Sequence, residues 1–504
     1  LRTDIFRYMI QNARTHGKFE EERKFTAMLK LFDPSSSLPV AERGKAPVAI
    51  TSFFAGKPLV LDEKVKAGQI DDYVTPTFYA PNVSWLVQRN GMNPRHSLMV
   101  SLNGSEGNHM HANGISMELY GKGYVLGPDA GIGKTLYQGL DYLEYYSQFP
   151  SHNTVCVDGI SSYPVMKSNH SFKLRALYPA AGERLPYQPI SYSEVYFREP
   201  ETFADQTRLN GIVNVGDSAG YYIDIFRSRK VEGGDKMHDY FYHNLGQHMT
   251  LTAADGSELG LQPTQELAFA GAHLYAYSYI YNKKRAVTSK DVKAGFTIQM
   301  PDKDDITMNL WMKGEEGREI FSALSPMTEG LSRIKNMPYS IKDQPTLTFV
   351  ARQKGEAWNR PFVAVYEPST LKEPSCIASV DYPQVKSEQQ GSHVGIRVAL
   401  TNGNVDWILS SDENAHHCKL EKLQARAGYA LCRQSEKGET LQAFLGNGTQ
   451  LEADGVSIRT DVPADVLLLK QDGKWMYTAT APCRVVVGKK KYTLSVSKEL
   501  RLLK

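Results

Sequence analysis

The stretch Asn108-His109-Met110-His111-Ala112-Asn113-Gly114 and the residues that follow it, Ile115-Ser116-Met117-Glu118-Leu119-Tyr120-Gly121-Lys122-Gly123-Tyr124-Val125-Leu126, decide how this chain is read. From Ile115 onward the residues alternate. Ile115, Met117 and Leu119 fall on one face and Ser116, Glu118 and Tyr120 on the other, the period of a half-buried strand. Gly121-Lys122-Gly123 supplies a turn, and Tyr124-Val125-Leu126 returns as the second strand. A hairpin centred on Lys122 sets Ile115 opposite Asp129 and His111 opposite Gly133, so His111 and Asp129 share its open end. Residues 154–158 read as a further strand closed by an Asp-Gly turn, with His152 at its start. Placed alongside, that strand would bring His152 to the same end.

Four residues able to bind a metal or move protons, His109, His111, Asp129 and His152, thus fall within 44 positions. If their segment is extended, His109 and His111 project to the same side. Two histidines and an aspartate suit zinc, with water as a fourth ligand. Taken singly, each histidine also reads as a packed or solvated strand residue, and spacing leaves both readings open. A zinc hydrolase would need a carboxylate base at the metal. Glu106 and Glu118 are the nearby carboxylates, but strand parity sets Glu118 on the face away from His109 and His111. The run from Gly127 to Thr135 looks like a phosphate loop. A Walker A motif needs four residues between its glycines; here five separate Gly127 from Gly133, and Pro128 stands where a glycine is required, which argues against nucleotide binding.

Three segments in order carry a family resemblance: His109-x-His111-Ala112-Asn113-Gly114, then Gly127-Pro128-Asp129-Ala130-Gly131, then Ser151-His152-Asn153-Thr154-Val155-x-Val157-Asp158-Gly159. Together they resemble the heparinase II/III-like polysaccharide lyases and the related alginate lyases, most clearly over residues 80–160 and more weakly towards the C-terminus. The resemblance implies that His111, Asp129 and His152 hold one structural zinc ion and that His109 is an active-site histidine facing the substrate. It also gives Tyr137, fifteen residues before His152, the proton-transfer position. Without the resemblance, Tyr137 reads equally well as a loop aromatic packing a sheet edge. A tyrosine acting as a base at neutral pH needs a positive or hydrogen-bonding neighbour, a part that His109 could play. The implied chemistry is β-elimination beside a uronic acid carboxylate. It requires neutralisation of that carboxylate, a base for the C5 proton and an acid for the leaving oxygen. The implied partner is an acidic polysaccharide: a glycosaminoglycan such as heparan sulfate, or a hyaluronan-, chondroitin- or alginate-like polymer. The implied location is the bacterial periplasm or beyond the cell, and a homodimer is compatible with it.

Composition bounds these readings. Lys plus Arg number 58 against 55 for Asp plus Glu, so the net charge of +3 does not argue for nucleic acid as a partner. Arg227, Arg229 and Lys230 form one basic cluster, read here as a solvated strand end. The 28 tyrosines are compatible with a sugar-binding groove, although strands favour tyrosine too. Five scattered cysteines (Cys156, Cys376, Cys418, Cys432 and Cys483) do not make a disulfide framework. His416-His417-Cys418 looks like a metal tract, but it lacks a matching second cluster in the sequence and reads as a polar strand edge or loop. No apolar run is long enough for a membrane span, and no signal peptide opens the chain. Leu1 is not a methionine, so the chain is expected to be processed, cloned as a fragment or cut.

Residues 1–32 read as two helical stretches separated by Thr15-His16-Gly17, and residues 38–75 as a connector. From 76 to 383 the chain reads as many short strands of a large antiparallel β-sandwich, and from 384 to 504 as a smaller β domain. The expected fold is therefore mainly β. By the resemblance, residues 1–75 hold the last helices of an α/α toroid and the connector, with the rest of the toroid expected upstream or on another chain, or else lost, which would count against activity. A polysaccharide lyase is the leading function. A non-catalytic, zinc-stabilised carbohydrate-binding protein and a zinc hydrolase are the alternatives.

Overall fold

Two helices open the chain, Asp4–Thr15 and Phe19–Phe32. Gly17 takes the left-handed conformation between them at φ 64°, which a residue with a side chain adopts at a cost. Their apolar stripes meet through Ile10 and Leu29, both fully buried, with Phe6 and Phe25 packed alongside. Arg14 pairs with Glu22 across the turn. The computed structural model describes residues 4–32, 66–91, 93, 96–108, 110–133, 140–161, 167–183, 189–267, 275–328, 337, 341 and 343–504. It falls into two units, Leu1–Thr75 and Pro76–Lys504. Most of the expected connector lies outside the described residues.

The second unit is built of antiparallel sheets, and with 54% strand against 11% helix the protein is mainly β. Its centre is an eight-stranded sheet in which Gly220–Lys230 pairs with Ala204–Asn214 on one side and Ala357–Thr370 on the other. Side chains of Gly220–Lys230 alternate between two cores. Tyr222 and Phe226 join one apolar cluster, whereas Tyr221, Ile223 and Ile225 join another. The first cluster lies against a six-stranded sheet that includes Met237–Asn244 and Thr346–Lys354, and Tyr240 and Phe362 meet there with ring centroids 5.3 Å apart. The second lies against a C-terminal sheet of twelve strands that begins with Ile377–Asp381. There Phe444 packs 4.9 Å from Tyr178 and 5.6 Å from Tyr192. The eight-stranded sheet is thus the middle of three layers, which is why its strands read as apolar on both faces.

Burial also corrects two readings of surface chemistry. Arg227 is fully buried, donating from Nε to Ser392 Oγ at 2.8 Å; Arg229 lies over Trp358 at 4.1 Å; Lys230 Nζ pairs with Asp158 at 2.9 Å. Arg227 is therefore no part of a solvated strand end, whereas Arg229 is exposed and Lys230 half-buried at the end of the strand. Many tyrosines, among them Tyr192, Tyr221, Tyr222, Tyr240, Tyr242, Tyr277 and Tyr366, fill the cores instead of lining a groove. All five cysteines are buried free thiols.

The hairpin forms, as strands Ser116–Gly121 and Tyr124–Gly127 at the end of a five-stranded sheet. Its register differs from the expected one. Lys122 and Gly123 both take positive φ, 54° and 92°, the two-residue turn that suits strand twist. The ladder therefore pairs Gly121 with Tyr124 and Tyr120 with Val125, then slips to Leu119 with Gly127 at a bulge. Neither Ile115 with Asp129 nor His111 with Gly133 is a ladder pair. Strand Val155–Val157 also forms, but it pairs with Met237–Asn244 of the six-stranded sheet.

A buried polar group ties these pieces together. Arg208 binds Asp224 through two bonds, Nε to Oδ1 at 2.8 Å and a terminal nitrogen to Oδ2 at 2.7 Å. Its other terminal nitrogen donates to the carbonyls of Ile115 at 2.7 Å and Asn153 at 2.6 Å. Asn210 and Tyr240 complete the shell of Asp224. Replacing Arg208 with Met leaves a buried carboxylate without its counter-charge, and chemical denaturation is expected to show a loss of about 3–5 kcal/mol. Lys at this position should recover only part of it, since one ammonium cannot reproduce the fork. In the second core, Phe444→Ala is expected to cost about 3–5 kcal/mol in the same measurement.

Candidate active site and metal centre

Asn153 sets the geometry of the site. Its side-chain amide donates to the carbonyls of Met117 at 2.9 Å and Pro128 at 3.2 Å, and its Oδ1 accepts from the backbone of His243 at 2.6 Å. Met117 in turn donates its N–H to the Asn153 carbonyl at 3.1 Å. One residue thus clamps the hairpin strand, the Asp129 segment and the six-stranded sheet. His152, just before it, is fully buried beside Asp129. On the other side, Gly114 has φ 61°, and a Cβ there would lie 2.9 Å from both a Phe149 ring carbon and Thr154 Oγ1. Only glycine lets the His111 segment press this closely against residues 149–154.

His111, Asp129 and His152 come together. Their donor atoms all lie within 4.8 Å of one another. His152 Nδ1 is 2.8 Å from Asp129 Oδ2, and the rings of His111 and His152 have centroids 5.5 Å apart. Zinc bound at its usual distances holds donors roughly 3.3 Å apart, so small side-chain adjustments would close the set around an ion. Electrostatics fit as well. Burial pushes His111 down to about 4, so its ring is neutral and keeps a lone pair. Burial alone would raise Asp129, but the charge and hydrogen bond of His152, with the charge of His111 and the Gly131 N–H, hold its carboxyl well below the usual range. His152 Nε2 is buried and has no hydrogen-bond partner among the described residues. Two imidazoles beside a hydrogen-bonded carboxylate are the donor chemistry of a zinc site.

Glu118 lies beside Asp129. Its carboxyl accepts from Asn103 Nδ2 at 2.7 Å and from the backbone of Asp129. Burial and the charge of Asp129 raise it to about 7. The strand begins at Ser116, so a parity count does not extend back to His111. Two histidines also surround the cluster unforeseen. His170 Nδ1 accepts from Gly114 N at 3.1 Å, and His243 Nδ1 lies 3.2 Å from Asn153 Oδ1. Burial, reinforced by the charge of His152, lowers both to about 3. They come from distant strands, and no local spacing could have revealed them.

Of the sequence-derived candidates, His109 and Tyr137 lie outside the described residues. The other tyrosines of their region are packing groups. Tyr142 sets its ring against His111 at 5.5 Å, Tyr145 is fully buried, and Tyr146 donates to the Met327 carbonyl at 2.8 Å. Burial pushes the phenols of Tyr142 and Tyr145 upward, which disfavours the phenolate a base requires.

No family model matches the chain. Over 433 residues it is 27% identical to an endo-acting ulvan lyase of Formosa agariphila, a match covering 81% of this chain and 50% of that protein. The chain therefore spans about half the length of the curated relative it matches. Among solved structures it is similar to a heparinase III, with TM-score 0.39 and 11% identity over 76% of this chain and 46% of that one. It is also similar to heparan sulfate lyase HepC from Pedobacter heparinus, with TM-score 0.36 and 12% identity over 74% and 45%. A third similarity is to a chondroitinase AC lyase, with TM-score 0.36 and 10% identity over 83% and 52%. The chain whose three segments meet around His111, Asp129 and His152 is thus similar in sequence to a polysaccharide lyase over most of its length.

Proposed function

We propose that this chain is the sheet-bearing part of a polysaccharide lyase that cleaves a uronate-containing acidic polymer by β-elimination. The observation that carries the reading is the similarity to an endo-acting ulvan lyase over 81% of the chain. That relative turns the substrate proposal towards ulvan first, with heparan sulfate, chondroitin, hyaluronan and alginate as the other uronate polymers to compare. In the proposed reaction a base removes the C5 proton, the C4–O bond breaks as the C4–C5 double bond forms, and an acid protonates the departing oxygen. Tyr137 is assigned the proton transfers, and His109 faces the substrate as its polar neighbour. The remaining carboxylate-neutralising groups are expected from a toroid upstream or on another chain, and the proposed location is periplasmic or extracellular.

His111, Asp129 and His152 are the residues that would hold zinc. When bound, zinc would supply a fixed charge that braces the three segments around the cleft. Elimination needs no metal-bound hydroxide, so the donors serve position. Asn153 and Arg208 hold the backbone on which that position depends. One observation favours a second reading. Glu118, raised to about 7 beside Asp129, is a candidate carboxylate base for a zinc hydrolase.

The readings separate by product. With the chain carried on its toroid, digests of the polymer panel are expected to gain the ultraviolet absorbance of an unsaturated uronate. His109→Ala and Tyr137→Phe should each abolish that gain while zinc content stays unchanged. Saturated products would favour the hydrolase, polymer binding without cleavage a carbohydrate-binding protein, and silence across the panel would sink the lyase reading. Chelation is expected to lower the thermal midpoint and the activity together, and His152→Ala should remove the ion and lower the midpoint in the same direction.

A further inference from the structure

A second hairpin brings another His, Asp, His set together, far from the first in sequence. Strand His393–Leu400 pairs with Val405–Ser411, and His393 lies opposite Ser411. Asp412 is the next residue, so His393 and Asp412 sit side by side at the open end of the ladder. The chain then turns, with His416 N donating to the Glu413 carbonyl at 3.1 Å, before strand His417–Leu420 pairs with Leu423–Gln434. That turn carries His416 over the same ladder end. The donor atoms of His393, Asp412 and His416 all lie within 4.8 Å of one another, and the two rings have centroids 5.5 Å apart. Gly391 lies among them. A Cβ on it would fall 2.8 Å from Asp412 Oδ1, 3.0 Å from His416 Nδ1 and 3.1 Å from His393 Cε1. The missing side chain leaves the donors room to face one another.

The surrounding bonds are those that prepare ligands. His393 Nε2 is 3.1 Å from the Gln389 carbonyl. Donation there leaves Nδ1 with its lone pair, turned to Ser411 Oγ at 3.1 Å and Cys418 Sγ at 3.4 Å. Asp412 accepts from Ser392 N at 3.0 Å through Oδ1 and from Trp358 Nε1 at 2.8 Å through Oδ2. A ligating imidazole that donates its other N–H to a carbonyl, beside a hydrogen-bonded carboxylate, is the usual second layer of a metal site. His416 Nδ1 is buried without a hydrogen-bond partner among the described residues, a cost that an ion would remove.

We propose that His393, Asp412 and His416 form a second metal site, selective for a zinc-class transition ion. Two imidazole nitrogens beside one carboxylate favour zinc over magnesium or calcium. With three protein donors, the site keeps a fourth position for water. It staples the turn after Asp412 and strand His417–Leu420 to the C-terminal sheet, and through Trp358 it ties them to the eight-stranded sheet. This reading is independent of the lyase assignment and of the first triad.

The test is zinc stoichiometry on protein stripped with chelator, dialysed and titrated with zinc chloride alone. The wild type is expected to take up two equivalents. His152→Ala should keep one, and adding His416→Gln should remove it, with circular dichroism confirming that each variant is folded. If His416→Gln fails to fold, Asp412→Asn serves in its place. In the His152→Ala background, cobalt substitution should show a visible ligand-field spectrum that His416→Gln abolishes. A His152→Ala protein that binds no zinc, or a count unchanged by both His416→Gln and Asp412→Asn, overturns the site. One equivalent lost in His416→Gln but kept in His152→Ala would support this site and remove the first.

Discussion

The buried guanidinium of Arg208 is the constraint on which the rest depends. A charge at that depth persists only if it is paired and its donors are used. Asp224 takes two of its bonds, and the carbonyls of Ile115 and Asn153 take the others. Those carbonyls flank the two histidine-bearing segments, Ile115 after His111 and Asn153 after His152. The layer between the sheets therefore fixes the separation of the ligands. The site is held by the core, and the loops that carry His111 and His152 have little freedom to set it themselves.

The same device recurs at other joints. Arg352 binds Asp239 through Nε at 2.6 Å and a terminal nitrogen at 2.8 Å, and Tyr277 donates to the same carboxylate at 2.7 Å. Arg433 binds Asp406 at 2.6 and 2.7 Å, with Tyr221 donating at 2.6 Å. With Arg208, Asp224 and Tyr240, three buried arginine–aspartate pairs each carry a tyrosine hydroxyl. In each, the phenol fills an apolar layer with its ring and satisfies the carboxylate with its tip. This explains why so much of the tyrosine lies inside. It also joins the C-terminal sheet to the middle one, since Asp406 and Tyr221 belong to different layers.

Both candidate metal sets sit where an antiparallel ladder ends. There the backbone is still rigid, but side chains no longer need to match a neighbouring strand. In the second set a histidine and an aspartate are held close by the last ladder pair, His393 with Ser411; in the first, His111 stands several residues before the strand. In each, a second histidine arrives on a returning segment. In the first set that segment is locked by Asn153; in the second it is a short turn after Asp412. The geometry follows from strand pairing and needs no dedicated metal-binding fold.

Much of this was legible in the chain itself. Alternation over 115–120 and the Gly121-Lys122-Gly123 turn specify a hairpin, because side-chain period and turn chemistry are local. Helix spacing and Gly17 specify the two opening helices for the same reason. The family resemblance named His111, Asp129 and His152 as a set, where spacing alone left it open. The register was not legible, since a bulge before Leu119 shifts it by a residue that no local pattern marks. Nor was the neighbourhood. His170 on Gly114 and His243 on Asn153 are contacts between elements distant in sequence, whereas Glu118 beside Asp129 and His393 beside Asp412 depend on where each hairpin ends. Sequence alone determined which segments become strands and, through residue type, which side chains are able to hold a metal. Tertiary structure alone decided which of those side chains meet, because layer packing and buried charge pairing, which no single segment encodes, bring distant ladder ends to one point.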